Sequence, residues 1–591
     1  MKQIFTLLIL FTFSLAYNQA LSKKQDYFVQ FNGSQLSKKV NVAEVLNHSV
    51  LKNYKDGKAY LDINEYANLL KLDQKITVHG NYSDSIPYYQ ITIPIKSRND
   101  IKTFLLKKNQ VNDSLAKATI EDFAQYSLYN SGDKKTTIGW NDNYLVIFGL
   151  TKKYNYNDYK PLVVQDTTTT VAVGDPVEIA VEANEEPVVD TTSTDNYYAN
   201  FQKEQMAFDS IQSIHQNRFI KSLFENGFTA PVSDKVNNNA DISSWIDYAS
   251  AMSGFNSAYM ALAQFTTYNK FFPTQKNLGN FVKGINLDFY FDNDNARVEE
   301  IVEYSKSVAD IVSSINTRKI NKNIFNHFPS QKPLGYMTYH INTKAALESF
   351  PGLSAEIFSN TFLFKEDISV VTDLISTIID EEATATLFDG DLSMFLYDFT
   401  EREVTVKTFE YDENYEQKSV EKKIKKSIPL FSVIFTSTHP TFADKLIQLG
   451  VRKKVLVAKG NYYEIIGTQE YGNLFIFKDK DVIIVGNSID NVFPKNDSFS
   501  KGIKKELKQN YFSAKVNVEK LVEAYGKSKE AKTSEIEKLN RLTQQFTDVT
   551  LYSAKKLVDD KLKFELKLNS AKADKNIILQ TLDLIEELTS N

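Results

Sequence analysis

The chain has 591 residues, of which 42% are hydrophobic and 24% are charged, and its net charge is −5. A chain of this size and apolar content can bury a large core, which excludes general disorder, and its charge balance provides no global basic field for nucleic acid. Cysteine is absent, which excludes disulfides, thiolate catalysis, cysteine-bound metal centres and a lipidated N-terminal cysteine.

The N-terminus carries the pattern of a secretory signal peptide. Lys2 is followed by an apolar run from Ile4 to Ala16, and a basic start, a short apolar run and a small residue are what signal peptidase substrates require. We therefore predict a signal peptide at 1–20, cleaved after Ala16 or Ala20. The run is shorter than the ~20 residues of a membrane span, so we expect a periplasmic or extracellular chain with no integral membrane span and no lipid anchor.

Residues 163–196 differ in composition from the rest of the chain. They include eight acidic residues and neither basic nor aromatic ones, so they bury too little apolar surface to offset the entropy of ordering. We predict a disordered acidic linker here, with a partner-binding segment as the alternative. The other predicted regions are an N-terminal α+β domain, a helical or α+β module and a C-terminal α+β domain that repeats the N-terminal pattern, at 21–160, 197–330 and 331–591.

The module after the predicted linker opens with an amphipathic helix. Phe208, Ile211, His215 and Phe219 recur at helical spacing, and Gly227 is suited to ending the helix.

An internal repeat is the most informative feature of the sequence. Its first signature is a short apolar strand that ends in Asn or Asp and leads into a helix, and it occurs four times, at Tyr27–Leu36, Ser243–Met252, Met337–Ala346 and Phe512–Leu521. Its second signature is an alternating strand followed by an amphipathic helix, at Tyr89–Leu106, Leu287–Ile301, Phe431–Leu449 and Leu562–Leu582. These patterns predict repeated strand–helix units.

A third signature is a hairpin in each half of the chain. Trp140–Gly149 and Phe477–Gly486 both place an aromatic residue, a polar turn and a short apolar strand in that order, which predicts two β-hairpins. Together the three signatures predict an α+β fold, in which repeated strand–helix and hairpin units pack helices on antiparallel sheets.

These segments resemble a family of exported Bacteroidota proteins of unknown function. The resemblance is carried by YFVQFN at 27–32, by WIDY at 245–248 and by the hairpin sequences NDNYLVIFG and DKDVIIVG at 141–149 and 479–486. The family implies a cell-envelope location and no assigned activity. Its usual lipobox cysteine is missing here, which argues against a lipid anchor.

The residues that end the first-signature strands have a structural interpretation. Asn32, Asp247, Asn342 and Asn517 each stand just before a predicted helix, where an Asx side chain accepts the first free backbone N–H. We therefore expect helix caps and not a ligand set.

Metal and phosphate motifs are incomplete. The six histidines, at positions 48, 79, 215, 327, 340 and 439, form no pair at metal-binding spacing. Asp292, Asp294 and Glu303 match three positions of a calcium loop, whose required glycine is Arg297 here. Gly526-Lys527-Ser528 lacks the first glycine of a phosphate loop.

Charged clusters give no stronger signal. Asp389 and Asp391 form a carboxylate pair at a turn, and Lys422–Lys426 form a basic segment that we expect across a hairpin from the acidic turn at 411–416. Only seven of the 69 basic residues are Arg, which argues mildly against an anion-binding site, because Arg is the usual bidentate clamp.

The sequence therefore predicts no catalytic, cofactor-binding or metal-binding residue and no cofactor. The leading hypothesis is a non-enzymatic binding or scaffolding element of the cell envelope, whose partner would be an envelope protein or a glycan and not a nucleic acid. The alternatives are a hydrolase or glycan-processing enzyme with dispersed carboxylates, and a carrier of apolar ligands.

Overall fold

The structure is a computed structural model. It describes residues 25–53, 67–83, 87–111, 118–131, 136–150, 191–254, 280–330, 332–358, 364–411, 417–492, 498–526 and 533–589. The predicted signal peptide and residues 163–190 of the predicted linker lie outside these ranges. Within them, every helix is too short or too polar to cross a membrane.

The described strands number twenty. They are β1 (Tyr27–Asn32), β2 (Lys75–Asn81), β3 (Tyr88–Pro94), β4 (Thr119–Asp122), β5 (Ser127–Asn130), β6 (Thr137–Trp140), β7 (Tyr144–Leu150), β8 (Ile242–Asp247), β9 (Val282–Phe291), β10 (Asn295–Tyr304), β11 (Gly335–His340), β12 (Asp391–Tyr411), β13 (Gln417–Thr436), β14 (Leu456–Lys459), β15 (Tyr462–Ile465), β16 (Phe475–Asp479), β17 (Val482–Gly486), β18 (Asn510–Asn517), β19 (Phe546–Ala554) and β20 (Lys561–Ser570).

The described α-helices number fifteen. They are α1 (Gly33–Leu36), α2 (Val42–Leu46), α3 (Ser49–Asn53), α4 (Arg98–Val111), α5 (Thr191–Glu225), α6 (Tyr248–Gly254), α7 (Lys306–Ile315), α8 (Thr343–Phe358), α9 (Lys365–Ile378), α10 (Glu381–Leu387), α11 (Phe442–Arg452), α12 (Ser498–Gln509), α13 (Val518–Gly526), α14 (Thr533–Gln545) and α15 (Ile577–Thr589). A 3-10 helix spans Lys322–His327. The predicted α+β class is confirmed.

The chain forms two compact units. Unit 1 contains 78–231, and unit 2 contains 26–77 and 232–591. These limits differ from the boundaries expected around 163–196, because 26–77 joins the C-terminal unit and α5 joins the N-terminal one.

Unit 1 is an antiparallel meander covered by α5. Strands β4, β5, β6, β7 and β3 pair in that order, and α5 contributes Ile220 and Phe224 to the core that contains Leu128 and Phe148. Gly139 permits this packing, because a Cβ there would lie 2.3 Å from Ile220. The predicted helix is present. Phe219 of its predicted apolar face packs on this core, whereas Ile211 is 38% exposed. The helix belongs to unit 1.

Helix α5 begins earlier than the sequence predicts. The sequence predicts that the acidic linker extends to residue 196, yet the helix starts at Thr191. The second half of α5 is packed on the core and already helical. Extending the helix toward its N-terminus by a few polar residues costs little free energy, because each added residue contributes one hydrogen bond without a new nucleation step.

Unit 2 is built on one antiparallel sheet. Its strand order is β1-β8-β9-β10-β20-β19-β18-β11-β12-β13-β17-β16-β15-β14. The first eight positions are symmetric about the β10–β20 pair, where β20, β19, β18 and β11 take the places of β10, β9, β8 and β1. The main hydrophobic core, which includes Phe328, Phe395 and Ile484, lies in the second half of this unit.

The centre of this symmetry carries four charged side chains. Glu299 on β10 lies directly opposite Glu565 on β20, an arrangement that is repulsive by itself. Lys563 Nζ lies 2.8 Å from Glu299 and 3.7 Å from Glu565, and Arg297 Nε lies 3.2 Å from Glu299. The two cations therefore compensate the two carboxylates at the seam.

The first repeat signature is confirmed in all four places. Strands β1, β8, β11 and β18 each lead into a helix. The side chains of Asp247, Asn342 and Asn517 accept backbone N–H groups of the helix that follows, at 2.9, 3.2 and 2.8 Å, so the predicted caps are confirmed there. Asn32 makes no such bond. It donates instead to the backbone carbonyl of Asn238, at 2.5 Å.

The second signature is wrong in one place. The predicted helix after Leu287 is the strand β10, paired on both sides by β9 and β20. Val298, Ile301 and Val302 satisfy helical spacing, but β-branched residues also suit a strand, and two neighbouring strands decide the outcome. The helix follows one element later, as α7. Both predicted hairpins are confirmed, as β6–β7 and β16–β17.

We predict that unit 1 loses stability in acid because of His79. This side chain on β2 is 6% exposed, and burial lowers its pKa to about 4. Between pH 6.5 and pH 4, His79 is therefore protonated in the unfolded chain and neutral in the folded unit. As the pH falls through this range, the free energy of unfolding decreases by about 3 kcal/mol.

The measurement is urea unfolding of the full chain at pH 7 and pH 4. The chain has two tryptophans, and a Trp245→Phe background leaves Trp140 as the fluorescent reporter of unit 1. The His79→Gln variant should lose this component of the pH dependence. An equal loss of stability in His79→Gln and in the parent would contradict the prediction.

We predict that Lys563→Met destabilises unit 2 by about 1 kcal/mol, because Glu299 and Glu565 then face each other with less compensation. The matched control is Lys567→Met on the same strand, opposite Arg297, which removes a like charge and should leave stability unchanged or slightly higher. Urea unfolding of both variants is the test. Equal destabilisation by the two substitutions would contradict it.

Candidate functional site

A cavity of about 610 Å3 in unit 2 is lined by six basic residues and no acidic one. Its walls are the end of α7 and the segment after it, the 3-10 helix, the last turn of α12 and the bend after β19. The basic residues are Arg318, Lys319, Lys322, Lys508, Lys555 and Lys556. We call this feature the basic cavity. Its volume falls within the ~300–1,000 Å3 of typical small-molecule sites.

The lysines of the basic cavity have no ion-pair partner among the described residues. Asp310 and Asp560, which are close in sequence to the lining residues Ser313 and Leu557, bind Lys306 at 2.7 and 3.4 Å. Arg318 differs from the lysines because Asp389 and Asp391 bind it. Five lysines thus contribute uncompensated positive charge to one cavity, which creates a local field favourable to anions.

The cavity also has an apolar part and a free amide donor. Ile320, Phe325 and Leu557 line it, and Phe325 is 8% exposed and belongs to the main core. Asn316, also in the lining, is 5% exposed, and its Nδ2 has no hydrogen-bond partner among the described residues. A buried amide without a partner is costly, so an acceptor oxygen in the cavity would be stabilised there.

A buried polar network fixes the segment that forms one wall. Arg318 binds Asp389 and lies 3.1 Å from Asp391, and Asp391 also accepts the backbone N–H of Asn321 at 2.8 Å. His340, fully buried on β11, bonds the backbone carbonyl of Arg318 at 2.8 Å. The segment 316–321 is therefore anchored at its side chains and at its backbone.

The hydrogen bonds of His340 exclude it as a catalytic base. Its Nδ1 faces Asp391 at 2.5 Å and its Nε2 faces the Arg318 carbonyl oxygen. Both nitrogens face oxygen atoms of the fold, and the side chain is fully buried, so neither nitrogen is presented to a substrate. The His340–Asp391 pair thus holds the cavity wall and is not part of a nucleophile-activating triad.

The pKa values of the carboxylates in this network are shifted by different causes. Burial raises the pKa of Asp389, with Arg318 acting in the opposite direction. Burial alone would raise the pKa of Asp481 too, but hydrogen bonds from the Asn321 and Asn323 side chains hold it below its usual value. The Asp389–Asp391 pair singled out from the sequence is brought together around an arginine, which makes it structural.

One cluster among the described residues has the composition of a metal site. His48, Asp583 and Glu586 present ligand atoms close together, with His48 Nε2 3.0 Å from Asp583. However, His48 Nδ1 accepts the Val50 N–H at 3.3 Å, so Nε2 carries the proton. Lys575 also binds Asp583. These contacts connect the start of α3 to α15. They leave no lone pair on the histidine to bind a cation.

The remaining histidines are dispersed. His327 lies 3.2 Å from Asp479, His439 accepts the Phe442 N–H at 2.9 Å at the start of α11, and His215 lies on α5, where burial and Arg218 lower its pKa. None of them contacts another histidine. No histidine site is assembled in the described residues.

The other sequence motifs also have structural roles. Asp292 and Asp294 lie in the turn between β9 and β10, and Glu303 lies on β10. The three residues of the partial calcium motif therefore belong to a β-hairpin. Lys527 and Ser528 of the partial phosphate loop lie outside the described residues.

The basic segment Lys422–Lys426 is on a hairpin as predicted, but its register differs. It pairs with residues 402–406 and not with the turn at 411–416, whose residues 412–416 lie outside the described ranges. Lys423 of this segment lies 3.0 Å from Glu403. This segment does not line the basic cavity.

An exposed apolar surface lies on α9. Val370, Val371, Leu374 and Ile378 are 57 to 77% exposed, and contiguous exposed apolar side chains are typical of interaction surfaces. This helix does not line the basic cavity either.

Sequence reasoning missed the basic cavity because its residues are far apart in the chain. The segment Arg318–Lys322 and the pair Lys555–Lys556 are basic in sequence, but so are many other segments of a lysine-rich chain. The fold brings them together with Lys508. The scarcity of arginine argued against an anion site, whereas this cavity is built from lysines.

Comparison with known proteins adds little to this description. No protein-family model matches the chain, and no curated protein matches it. Among solved structures, crystal forms III, I and IV of TP0453 align over 52, 52 and 48% of this chain and 82, 84 and 78% of theirs. Sequence identities are 8, 9 and 7%, with TM-scores of 0.21, 0.19 and 0.21.

We predict that His340→Leu destabilises unit 2 by about 3 kcal/mol, because it leaves Asp391 short of a buried partner and frees the Arg318 carbonyl. His439→Gln is the control, since that imidazole only caps a helix and should cost about 1 kcal/mol. Urea unfolding of both variants is the measurement. A cost for His340→Leu no larger than that of the control would contradict the anchoring role.

Proposed function

We propose that this chain is an exported cell-envelope protein that acts by binding an anionic ligand in the basic cavity. The observation that supports this function is the set of five lysines without counter-charges around one cavity. A protein gains nothing in stability from such a cluster, because like charges repel. An anion supplies the missing charge and forms charge-assisted hydrogen bonds with several lysines together.

The geometry favours binding over hydrolysis. Asp389 and Asp391 bind the lining residue Arg318, and His340 bonds the backbone carbonyl of the same residue. A cavity lined by exposed lysines and by no acidic residue can bind an anion but offers no pair of free acid and base groups. Binding is therefore the function that these side chains support best.

The proposed location depends on the sequence. The basic start and apolar run at 2–16 support export. The resemblance of 27–32, 245–248 and the two hairpins to exported Bacteroidota proteins of unknown function supports the same location. We propose the periplasm or the cell exterior on these grounds.

The test is calorimetric titration of the full chain with pyrophosphate at low ionic strength. We expect binding that weakens as salt is added. The triple variant Lys319→Gln, Lys508→Gln and Lys556→Gln should bind about 100-fold more weakly, at about 1 kcal/mol for each lost charge-assisted hydrogen bond.

The matched control carries the same change in net charge at positions outside the cavity. Lys422→Gln, Lys425→Gln and Lys445→Gln replace exposed lysines on β13 and α11, and this variant should bind pyrophosphate nearly as well as the parent. Equal weakening in the two triple variants would show that net charge alone attracts the anion. That result, or no binding by the parent, would overturn the proposed function.

A further inference from the structure

We propose that the ligand of the basic cavity is an amphipathic anion, in which a phosphate or carboxylate head contacts the lysines and a single alkyl chain lies on Ile320, Phe325 and Leu557. This inference rests on the proposed function and narrows the ligand class. It follows from the juxtaposition, within one cavity, of exposed cations and a less exposed apolar wall.

The burial of the lining residues separates the two ends of the ligand. Lys319, Lys322, Lys508 and Lys556 are exposed, whereas Ile320 and Leu557 are half-buried and Phe325 is buried. A ligand that enters from solvent therefore meets cations at the outside and apolar side chains farther in. A small hydrated anion would satisfy only the outer part and leave the apolar wall against water.

The apolar wall of the cavity is held in place by its packing and hydrogen bonds. Phe325 and Ile320 pack on the main core of unit 2, and the segment that carries Ile320 is anchored through Arg318 and Asn321. A wall that is already ordered loses little conformational entropy when a chain binds to it. The buried Nδ2 of Asn316 provides one further donor for a head-group oxygen.

The cavity volume also favours a ligand larger than an inorganic anion. At about 610 Å3 it is in the middle of the range for organic ligands. The chemistry of an alkyl phosphate is shared by free single-chain amphiphiles and by lipid head groups in a membrane. We propose the free amphiphile, because the site is a concave cavity with room for one alkyl chain and not a convex surface.

The test is a titration series of monoalkyl phosphates below their micelle concentrations. Ethyl, butyl, hexyl and octyl phosphate share one head group, and affinity should rise with chain length by up to about fourfold per buried methylene. Leu557→Gln should flatten this increase while pyrophosphate affinity stays within about twofold of the parent. Ile320→Gln is a second variant with the same expected result.

The neighbouring residue provides a matched control. Val558 is 69% exposed and does not line the cavity, so Val558→Gln should retain the full chain-length dependence. A second arm mixes the protein with phosphatidylglycerol and phosphatidylcholine vesicles, and we expect no cosedimentation with either.

The outcomes separate the two proposals. If pyrophosphate binds, and ethyl and octyl phosphate bind with equal affinity, the proposal of an amphipathic ligand is wrong and the proposal of an anion site is retained. No binding of pyrophosphate or of any alkyl phosphate would overturn both. Cosedimentation with phosphatidylglycerol vesicles without binding of free octyl phosphate would identify a membrane surface as the target and overturn this inference.

Discussion

The antiparallel pairing of β10 with β20 is the constraint on which unit 2 depends. Nine residue pairs join segments that lie more than 250 positions apart in the chain, from Asn295↔Asn569 to Glu303↔Lys561. Without it, the strands β1, β8, β9 and β10 would be separated from the rest of the sheet. Such distant contacts form only after a large loop closes, so the C-terminal strands must be present before the first half of this unit can be completed.

The basic cavity is a consequence of how the two symmetric halves are connected. One half ends with α7 and the other begins at β11, and the segment 316–334 runs between them. This connection supplies Arg318 to Phe325, while the second half supplies Lys508 and Lys555 to Leu557. The connection occurs once in the chain, so the symmetry of the strands gives no second copy of the cavity. The network of His340, Asp389 and Asp391 then holds the connection against the second half.

Local patterns in the sequence predict much of the fold and little of the site. The strand–helix units and three of the four Asx caps follow from short-range rules, because a cap is decided by a few neighbouring residues. The strand β10 could not be predicted, because Val298, Ile301 and Val302 fit both periods and the choice is made by β9 and β20. The cavity could not be predicted for the same reason: Lys319, Lys508 and Lys556 become neighbours only through the tertiary fold.

The uncompensated lysines also bear on the lifetime of the protein. Their mutual repulsion makes the unoccupied chain less stable than its core alone would allow, and a bound anion removes that repulsion as well as adding its own contacts. Occupancy and folding stability are therefore thermodynamically linked. A chain without ligand opens more often and is cleaved faster by proteases that capture the opened state. If the proposed anion binds in the basic cavity, the amount of folded protein that persists would follow the supply of that anion.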